Sequence, residues 1–488
     1  MLSTLLKNQR SRNKAPNKNI PSPARRNRIR EERGFALLLT LICSTLFMLL
    51  GLSLTFSSMT EFRTSTEFEA REKALMIADA GFNLTQSIFR GNSLTSLLAS
   101  ATDVNRYLNF PVPTGTTELS YFNRNPLSPV EAMHVDYSSP PAAIGTRTIN
   151  GLLTAPAGVP VGTGRYFARV TDNDDGDGDP LVDTDNVVIL RVMGVHRGSS
   201  TEGAVYGTNT QNAIAIIETT LRRDTTFDFD QSFTIYGPNV AITYNGNTFD
   251  IDGRQHALNG ALIAGAPKAG LGLMNHNPGG GNAATAAASA FTELAGMQMD
   301  NLVGENGDFG ALPSLKDTTN AVLTSSDPDA ANIFDPNWLM AFVDQLAGFA
   351  DNVLPAGTYT NVVWGTTAAP EITLINGDTI IETDGTGAGL MVIRGNLDFN
   401  GAFTYTGLIF ILGGEFTMSG ANKNIIGGTF AANLIDNGDG TYSYGTPTVG
   451  FNGNSNFLYS AQGISLAYDL LPMRVLNWRE STRELEPY

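Results

Sequence analysis

Residues 33–56 read RGFALLLTLICSTLFMLLGLSLTF, and this stretch decides how the rest of the chain is interpreted. No charged residue occurs between positions 34 and 60. As a helix, positions 35–56 would extend about 33 Å at 1.5 Å per residue, which is enough to span the hydrocarbon core of a bilayer. The stretch therefore predicts a helix that crosses a membrane once.

The charge on the two sides of this stretch is strongly asymmetric. Residues 1–33 contain ten Lys or Arg and two Glu, a net charge of +8, whereas the remainder contains 21 Lys or Arg and 45 Asp or Glu, a net charge of −24. By the positive-inside rule, the basic leader stays in the cytoplasm and the acidic body is exported. A cleavable secretory signal is the alternative, but it would have a shorter apolar region and an A-x-A-like site, which LTFSSMTEFR at 54–63 lacks.

Apolar periodicity continues beyond the membrane segment. No proline interrupts residues 35–110, and apolar residues recur at helical spacing, which predicts one helix over 35–90 whose outer half is amphipathic. A plain membrane anchor with a helical stalk has the same pattern and is the alternative on these grounds alone. The recurring positions are Phe68, Leu75, Ala78, Phe82, Thr85 and Phe89.

Arg33, Gly34 and Phe35 form a motif that resembles the prepilin-peptidase site of type IV pilins and type II secretion pseudopilins. In those families the leader is cut after the Gly and the new N-terminal Phe is methylated. The stretch REKALMIADAGFN at 71–83 is similar to the A-x-x-x-A-E-A-G signature of PilX-type minor pilins, with Asp79 replacing the usual Glu. The resemblance covers residues 33–90. It implies an inner-membrane subunit that is cut between Gly34 and Phe35 by prepilin peptidase and assembles with other pilins or pseudopilins.

Leu39 occupies the fifth position of the expected mature chain, where major pilins carry Glu. In that family the Glu is thought to pair with the N-terminal amine of a neighbouring subunit inside the apolar filament core. A buried carboxylate without a partner is costly, and a subunit at the tip has no preceding amine to meet. The PilX and GspK types also lack the Glu. Leu39 and a mature chain of 454 residues, too bulky for a repeating stem, therefore predict a position at the tip.

The exported body is predicted to be rich in β-structure, since the chain has 51 Gly and only 16% charged residues. Residues 91–230 are expected to form a pilin-like α+β domain in which an antiparallel meander packs on the Phe82 and Phe89 face of the helix. The strand patterns of this meander are RYFARVT at 165–171, NVVILRVMGV at 186–195 and NAIAIIETTLRR at 212–223.

An acidic loop, TDNDDGDGDPLVDTDN at 171–186, separates the first two of these strands. Its Asn173, Asp175, Asp177 and Gly178 match the first half of a D-x-[DN]-x-[DN]-G calcium loop, although Thr184 stands where an EF-hand has its bidentate Glu. The loop therefore predicts a Ca²⁺ site, and a solvated loop without metal is the alternative. The candidate ligands are Asp172, Asn173, Asp175, Asp177, Asp179, Asp183 and Asp185.

Residues 231–488 are predicted to form a β-solenoid, a parallel β-helix of short strands. GLMVIRGNLDFNGA at 389–402 and GLIFILGGEFTMSGA at 407–421 align as repeated units, and a glycine-rich sandwich is the alternative. A helical insertion is expected at 279–351, with a Gly/Ala-rich stretch at 279–290 and a helix at 335–351 capped by Asp335. Four short segments share one pattern: FDIDG at 249–253, LDFNG at 397–401, FTMSG at 416–420 and VGFNG at 449–453.

The overall prediction is an α+β protein with a basic leader at 1–34, a transmembrane and stem helix, a pilin-like meander and a parallel β-helix domain. Its acidic body argues against nucleic acid as a partner. None of the four His lies in a metal-binding spacing, no G-x-S-x-G motif occurs, and Cys43 lies in the membrane segment, so no enzymatic activity is expected.

The expected role is structural: assembly of a type IV pilus-like filament from its tip and adhesion to a surface glycan or to a host or abiotic surface. The body would be periplasmic first and then on the filament or cell surface. The alternative is a membrane-anchored surface adhesin or glycan-active β-helix protein that never enters a filament.

Overall fold

The structure is a computed structural model in which the chain forms two compact units, Met1–Ala70 and Arg71–Tyr488. Most of the predicted leader, the Gly/Ala-rich stretch at 279–290, and Asp175 and Asp177 lie outside the described residues. The described residues are 24–103, 148–151, 153–154, 159–162, 164–173, 179, 181–196, 213–223, 229–273, 294, 296–307, 311–318, 334–420 and 422–481.

Four α-helices and twenty-four strands are present in the described part of the chain. The helices are α1 (Ala24–Phe89), α2 (Leu94–Ala99), α3 (Pro336–Leu346) and α4 (Ala461–Tyr468). The strands are β1 (Ala101–Asp103), β2 (Thr148–Asn150), β3 (Val159–Val161), β4 (Gly164–Asp172), β5 (Val187–His196), β6 (Ala213–Arg223), β7 (Gln231–Tyr236), β8 (Ala241–Asn245), β9 (Phe249–Asp252), β10 (Ala269–Leu273), β11 (Leu302–Val303), β12 (Leu315–Asp317), β13 (Asn352–Tyr359), β14 (Val363–Trp364), β15 (Glu371–Ile381), β16 (Gly385–Ile393), β17 (Leu397–Phe399), β18 (Phe403–Ile411), β19 (Glu415–Met418), β20 (Lys423–Asp436), β21 (Tyr442–Gly445), β22 (Thr448–Asn452), β23 (Ser455–Tyr459) and β24 (Met473–Ser481).

Helix α1 is unbroken, and it begins at Ala24, inside the predicted leader, rather than at Phe35. Residues 35–62 are all exposed. By length and composition, the apolar segment that starts at Phe35 is able to cross a membrane. The N-terminal apolar helix predicted from the sequence is therefore present.

The last turns of α1 pack on a five-stranded antiparallel sheet with the order β24-β6-β5-β4-β3. Small residues bring the helix close to this sheet. A Cβ atom added to Gly81 would lie 2.5 Å from the Tyr166 ring, and one added to Gly194 would lie 2.1 Å from the Ala74 carbonyl oxygen. The A-x-x-x-A-D-A-G stretch thus supplies the close contact with the sheet. Phe68, predicted to share this face, is 72% exposed because the buried positions begin only at Ala74.

The second sheet has seventeen strands, β7–β23, and curls so that many strands pair in parallel with the next strand but one, as β16 does with β18 and β18 with β20. The hairpin β20–β21 is antiparallel. Gly389, Gly407 and Gly427 lie in register on β16, β18 and β20 with φ of 118°, 142° and 142°. Side chains on β16 alternate between two apolar clusters. Met391 belongs to the cluster enclosed by the sheet, and Leu390 belongs to the one covered by α3 and α4.

The strand order of the curled sheet does not follow the chain. β7 lies in the middle, paired with β20 on one side and β10 on the other. The four segments that share one sequence pattern do not all lie in one stack. LDFNG, FTMSG and VGFNG are indeed stacked, through Leu397↔Phe416 and Phe416↔Val449. FDIDG is not, because β9 pairs with β23 and β11 instead.

The predicted boundary at 231–488 needs a correction at its end. Strand β24 returns to the antiparallel sheet and pairs with β6, placing Met473 beside Arg223. The curled sheet is therefore inserted between two neighbouring strands of the smaller sheet. No local pattern in MRVLNWRES, the sequence of β24, predicts this pairing, because strand β6 lies about 250 residues earlier in the chain.

Helix α3 has the predicted N-cap: Asp335 Oδ1 accepts hydrogen bonds from the backbone N–H groups of Asn337 and Trp338. It ends at Leu346, five residues before the predicted end. Its apolar spacing predicts a buried face of Trp338, Leu339, Phe342, Leu346 and Phe349, and the structure buries only two of these five fully. Trp338 and Phe342 stack on each other and are only partly buried, and Phe349 is 47% exposed. The buried residues are Leu339, Val343 and Leu346.

Candidate functional site

The residues predicted for processing and assembly lie on the exposed apolar part of α1. The bond between Gly34 and Phe35 is inside the helix. Phe35 is 68% exposed and Leu39 is 51% exposed. Neither side chain packs in the protein's own core, so both are free to contact lipid or another subunit.

The acidic loop is tied together at its base. Asn173 Nδ2 donates to Asp185 Oδ2 at 2.9 Å, and Asp185 Oδ1 accepts the backbone N–H of Val187 at 2.9 Å. Asp179 Oδ1 accepts the N–H of Leu181. These contacts bring Asn173 and Asp185 together, near the end of β4 where Asp172 lies.

The fit of this loop to Ca²⁺ is partial. The Oδ1 atom of Asn173 is buried and accepts no hydrogen bond from the described residues, so it is available as an oxygen ligand. Within the described ranges, no three His, Cys, Asp or Glu side chains are close enough to hold a metal. Further ligands would have to come from 174–178, which hold Asp175 and Asp177. The calcium site stays a prediction.

Asp183 lines a separate polar cleft of about 600 Å³. Its backbone N–H donates to Thr95 Oγ1 at 3.2 Å, which fixes the end of the acidic loop against the start of α2. The cleft collects residues from four parts of the chain that are far apart in sequence. They are Ser93, Leu94, Thr95, Asp183, Thr184, Asn186, Arg223, Ser465, Tyr468 and Asp469.

Arg223 forms the floor of this cleft and has only 2% of its side chain exposed. Its Nη1 donates to Asp469 Oδ1 at 2.6 Å. Its Nη2 donates to the carbonyl oxygens of Phe89 and Asn92 at 2.5 and 2.9 Å. The guanidinium therefore caps the end of α1, where carbonyl groups lack helical partners, and joins that end to α4.

The cleft is electrostatically asymmetric. Burial raises the pKa of Asp183 to about 6, with further contributions from Asp185 and Asp172, and a backbone hydrogen bond from Asn186 and the charge of Arg223 partly oppose this rise. Burial also raises the pKa of Asp469, and the pairing with Arg223 opposes it. Two carboxylates and one guanidinium line the cleft, so its formal charge is −1 when both acids are ionised.

The sequence did not single out Arg223 or Asp469 as site residues. Arg223 ends a strand-like run and Asp469 follows a short helix, and neither belongs to a known motif. A charged residue at the last position of a buried strand is the one signal that could have drawn attention to Arg223. Its partners at 89, 92 and 469 are set by the fold, and sequence spacing does not reveal them.

Comparison with protein-family models found no match, and no curated protein matches the chain. Among solved structures, the chain is similar to the competence-associated pilin ComZ from Thermus thermophilus, with 12% identity and a TM-score of 0.18. The match covers 84% of this chain and 97% of that chain. A TM-score this low carries no argument about function.

Proposed function

We propose that the chain is a structural minor pilin or pseudopilin of the PilX type, without enzymatic activity. It would be inserted in the inner membrane with its N-terminus in the cytoplasm, cut between Gly34 and Phe35, and built into a type IV pilus-like filament. The observation that carries this proposal is the unbroken helix α1. Its exposed part is long enough to cross a membrane, and its last turns pack closely on an antiparallel sheet through Ala74, Ala78 and Gly81.

A position at or near the filament tip is supported by two features. Leu39 replaces the carboxylate that major pilins carry at that position. The curled sheet, inserted between β6 and β24, adds more than 200 residues to the small sheet. In this proposal the subunit promotes filament assembly, and its bulk stays outside the repeating stem.

The curled sheet is proposed to be a β-solenoid that presents an adhesive surface. Its parallel strands carry polar ladders on the outside, such as Thr417 Oγ1 donating to Asp398 Oδ1 at 2.9 Å and Asn456 Nδ2 donating to Asn424 Oδ1 at 2.8 Å. Regular rows of hydroxyl, amide and carboxylate groups suit contact with a surface glycan or with a host or abiotic surface. The competing proposal is a membrane-anchored surface protein that never joins a filament.

The mature N-terminus separates these two proposals. We expect intact-mass measurement and N-terminal sequencing of membrane fractions to show a chain that starts at methylated Phe35. Gly34→Val should leave the precursor uncut, because the added side chain obstructs the peptidase. Gly51→Val is the matched control. It lies in the same helix with no atom of the chain within 4 Å of its added Cβ, so processing should continue. A wild-type chain that retains residues 1–33 contradicts the pilin proposal.

The acidic loop is proposed to bind Ca²⁺ through Asp172, Asn173 and Asp185 together with residues of 174–178. Thermal melts of the full chain in detergent, with Ca²⁺ and with chelator, test this. Binding should stabilise the fold by about 2.7 kcal/mol at a hundredfold excess over the dissociation constant. Asp185→Asn should reduce the effect, and Asp439→Asn on an exposed hairpin should not. Identical melting curves with Ca²⁺ and with chelator, together with no calcium binding by calorimetry, would show that the loop is solvated and holds no metal.

A further inference from the structure

The cleft between α2, the acidic loop, β6 and α4 has the size of a small-ligand site. Its volume of about 600 Å³ lies within the range of ordinary ligand pockets, roughly 300 to 1,000 Å³. Nothing in the proposed filament role uses it. Its walls are joined to one another, because Arg223 donates to the carbonyl oxygens of Phe89 and Asn92 and the backbone N–H of Asp183 donates to Thr95.

The guanidinium group of Arg223 already has hydrogen-bond acceptors within the protein. Arg223 donates to Asp469 and to two backbone carbonyls, so an incoming anion would compete with Asp469 and face a second carboxylate. Asp183 forms no ion pair with Arg223 at contact distance within the described structure. Its Oδ1 atom is buried and accepts no hydrogen bond from the described residues.

The Asp183 carboxyl group has one backbone donor, Asn186, and leaves its Oδ1 atom without one, which is costly for a buried oxygen. A rotation of the carboxyl group that turns this oxygen towards a donor in the cleft would remove the cost. The other groups at the cleft include the hydroxyls of Ser93 and Ser465 and the aromatic ring of Tyr468. Carboxylates, hydroxyls and an aromatic ring are the partners that an alkylammonium group prefers. A divalent metal would need several carboxylate or carbonyl oxygens converging on one point, and no three acidic side chains in the described part of the chain are placed to hold one metal ion.

We propose that this cleft binds a primary ammonium group through Asp183. The group could be the side chain of a lysine on another protein or a free diamine. Both present the same charge and the same three donors, so the chemistry is shared and the source is decided by experiment. This proposal goes beyond the filament role and does not depend on it, because the cleft residues are set by the fold of Arg71–Tyr488.

The test is calorimetric titration of the full chain in detergent. The probes are Nα-acetyl-lysine amide, cadaverine and Nα-acetyl-norleucine amide, which matches the first probe but lacks the ammonium group. We expect binding of one or both ammonium probes and none of the norleucine compound. Binding of the lysine compound identifies a protein side chain as the source, and binding of cadaverine alone identifies a free diamine.

Asp183→Asn keeps the shape of the side chain and removes its charge, so affinity should fall at least about tenfold, the effect of losing one charge-assisted hydrogen bond. Asp384→Asn is the matched control, since Asp384 is exposed and lies outside the cleft, and affinity should be unchanged. Ser465→Lys offers an independent variant that keeps Asp183. Ser465 is exposed at the edge of the cleft, so the introduced ammonium should occupy the site and block the probe.

Several results would overturn the proposal. These are no binding of either ammonium probe to the wild-type chain, equal binding of the norleucine compound, or unchanged affinity in both Asp183→Asn and Ser465→Lys. Ca²⁺ binding that requires Asp183 and excludes the amines would assign the residue to the calcium loop instead.

Discussion

Replacing Gly407 with alanine is expected to destabilise the curled sheet severely. Gly407 lies in register between Gly389 and Gly427, and its φ of 142° is one that side chains other than hydrogen rarely allow. A Cβ atom at this position would lie 1.9 Å from the carbonyl oxygen of Gly389. Because that obstacle is backbone and not the end of a flexible side chain, β16 or β18 must move.

The expected loss of stability is the sum of two costs, the unfavourable φ and the close contact with the Gly389 backbone. An unfavourable φ costs about 1–3 kcal/mol, and forcing atoms into a filled site costs about 1–3 kcal/mol more. Gly407→Ala should therefore lower the free energy of unfolding by about 2–6 kcal/mol. Gly357→Ala is the control. It adds the same methyl group to β13 with no atom within 4 Å, and it should change stability by no more than about 1 kcal/mol.

The assay is urea unfolding of the full chain in detergent, followed by tryptophan fluorescence. Trp364 is 6% exposed and belongs to the cluster enclosed by the curled sheet, so it reports on that sheet. If Gly407→Ala unfolds at the same urea concentration as Gly357→Ala, the glycine ladder is not required by backbone proximity, and the reasoning is refuted.

Three further predictions concern the cleft and the membrane helix. Arg223→Met should cost about 3–5 kcal/mol in urea unfolding, since it leaves Asp469 without its buried partner; a cost below about 1 kcal/mol contradicts the capping role. Folding raises the pKa of Asp183 from 3.8 to about 6, so between these two pH values the folded state binds more protons than the unfolded state. The free energy of unfolding should therefore fall as pH rises from about 4 to about 6. In amine-free buffer Asp183→Asn should reduce that fall by about 1 kcal/mol after solvent screening, because the raised pKa of Asp469 still contributes, and an unchanged pH profile opposes this. Leu39→Glu should reduce the number of filaments counted by electron microscopy while leaving processing normal, because in the proposed tip position it would bury a carboxylate with no amine to meet; unchanged filaments would show that the residue at position 39 does not decide the position of the subunit.

Local patterns predicted the local structure well. The apolar run after Arg33 predicted α1, Asp335 and Pro336 predicted the start of α3, and the β-branched runs predicted β4, β5 and β6. In each case the sequence pattern lies within the helix or strand that it predicts, or directly beside its first residue. Propensity, capping and hydrophobic periodicity act over that distance.

What the sequence did not reveal depends on contacts between distant segments. The central place of β7 and the return of β24 to the smaller sheet are pairings across about 200 residues or more. The cleft brings positions near 93, 183, 223 and 469 together, and none of them stands out in its own neighbourhood. The acidic loop did stand out, but its charge density alone could not separate Asp183, which faces the cleft, from Asn173 and Asp185, which bond to each other.

The insertion of the curled sheet between β6 and β24 has a mechanical consequence. Because Arg223 and Met473 are neighbours, a pull on any part of residues 231–471 reaches the small sheet through two adjacent strand ends at once. Strands β6 and β24 are then pulled in the same direction, so they move little relative to each other and the hydrogen bonds between them are hardly loaded. The resistance falls on the pairing of β6 with β5, which runs from Val187↔Arg222 to His196↔Ala213. That ladder is loaded along its length and must shear as a whole. Tension that passes along the two strands is therefore resisted by many hydrogen bonds acting together, instead of one bond at a time as in a strand that peels from its end.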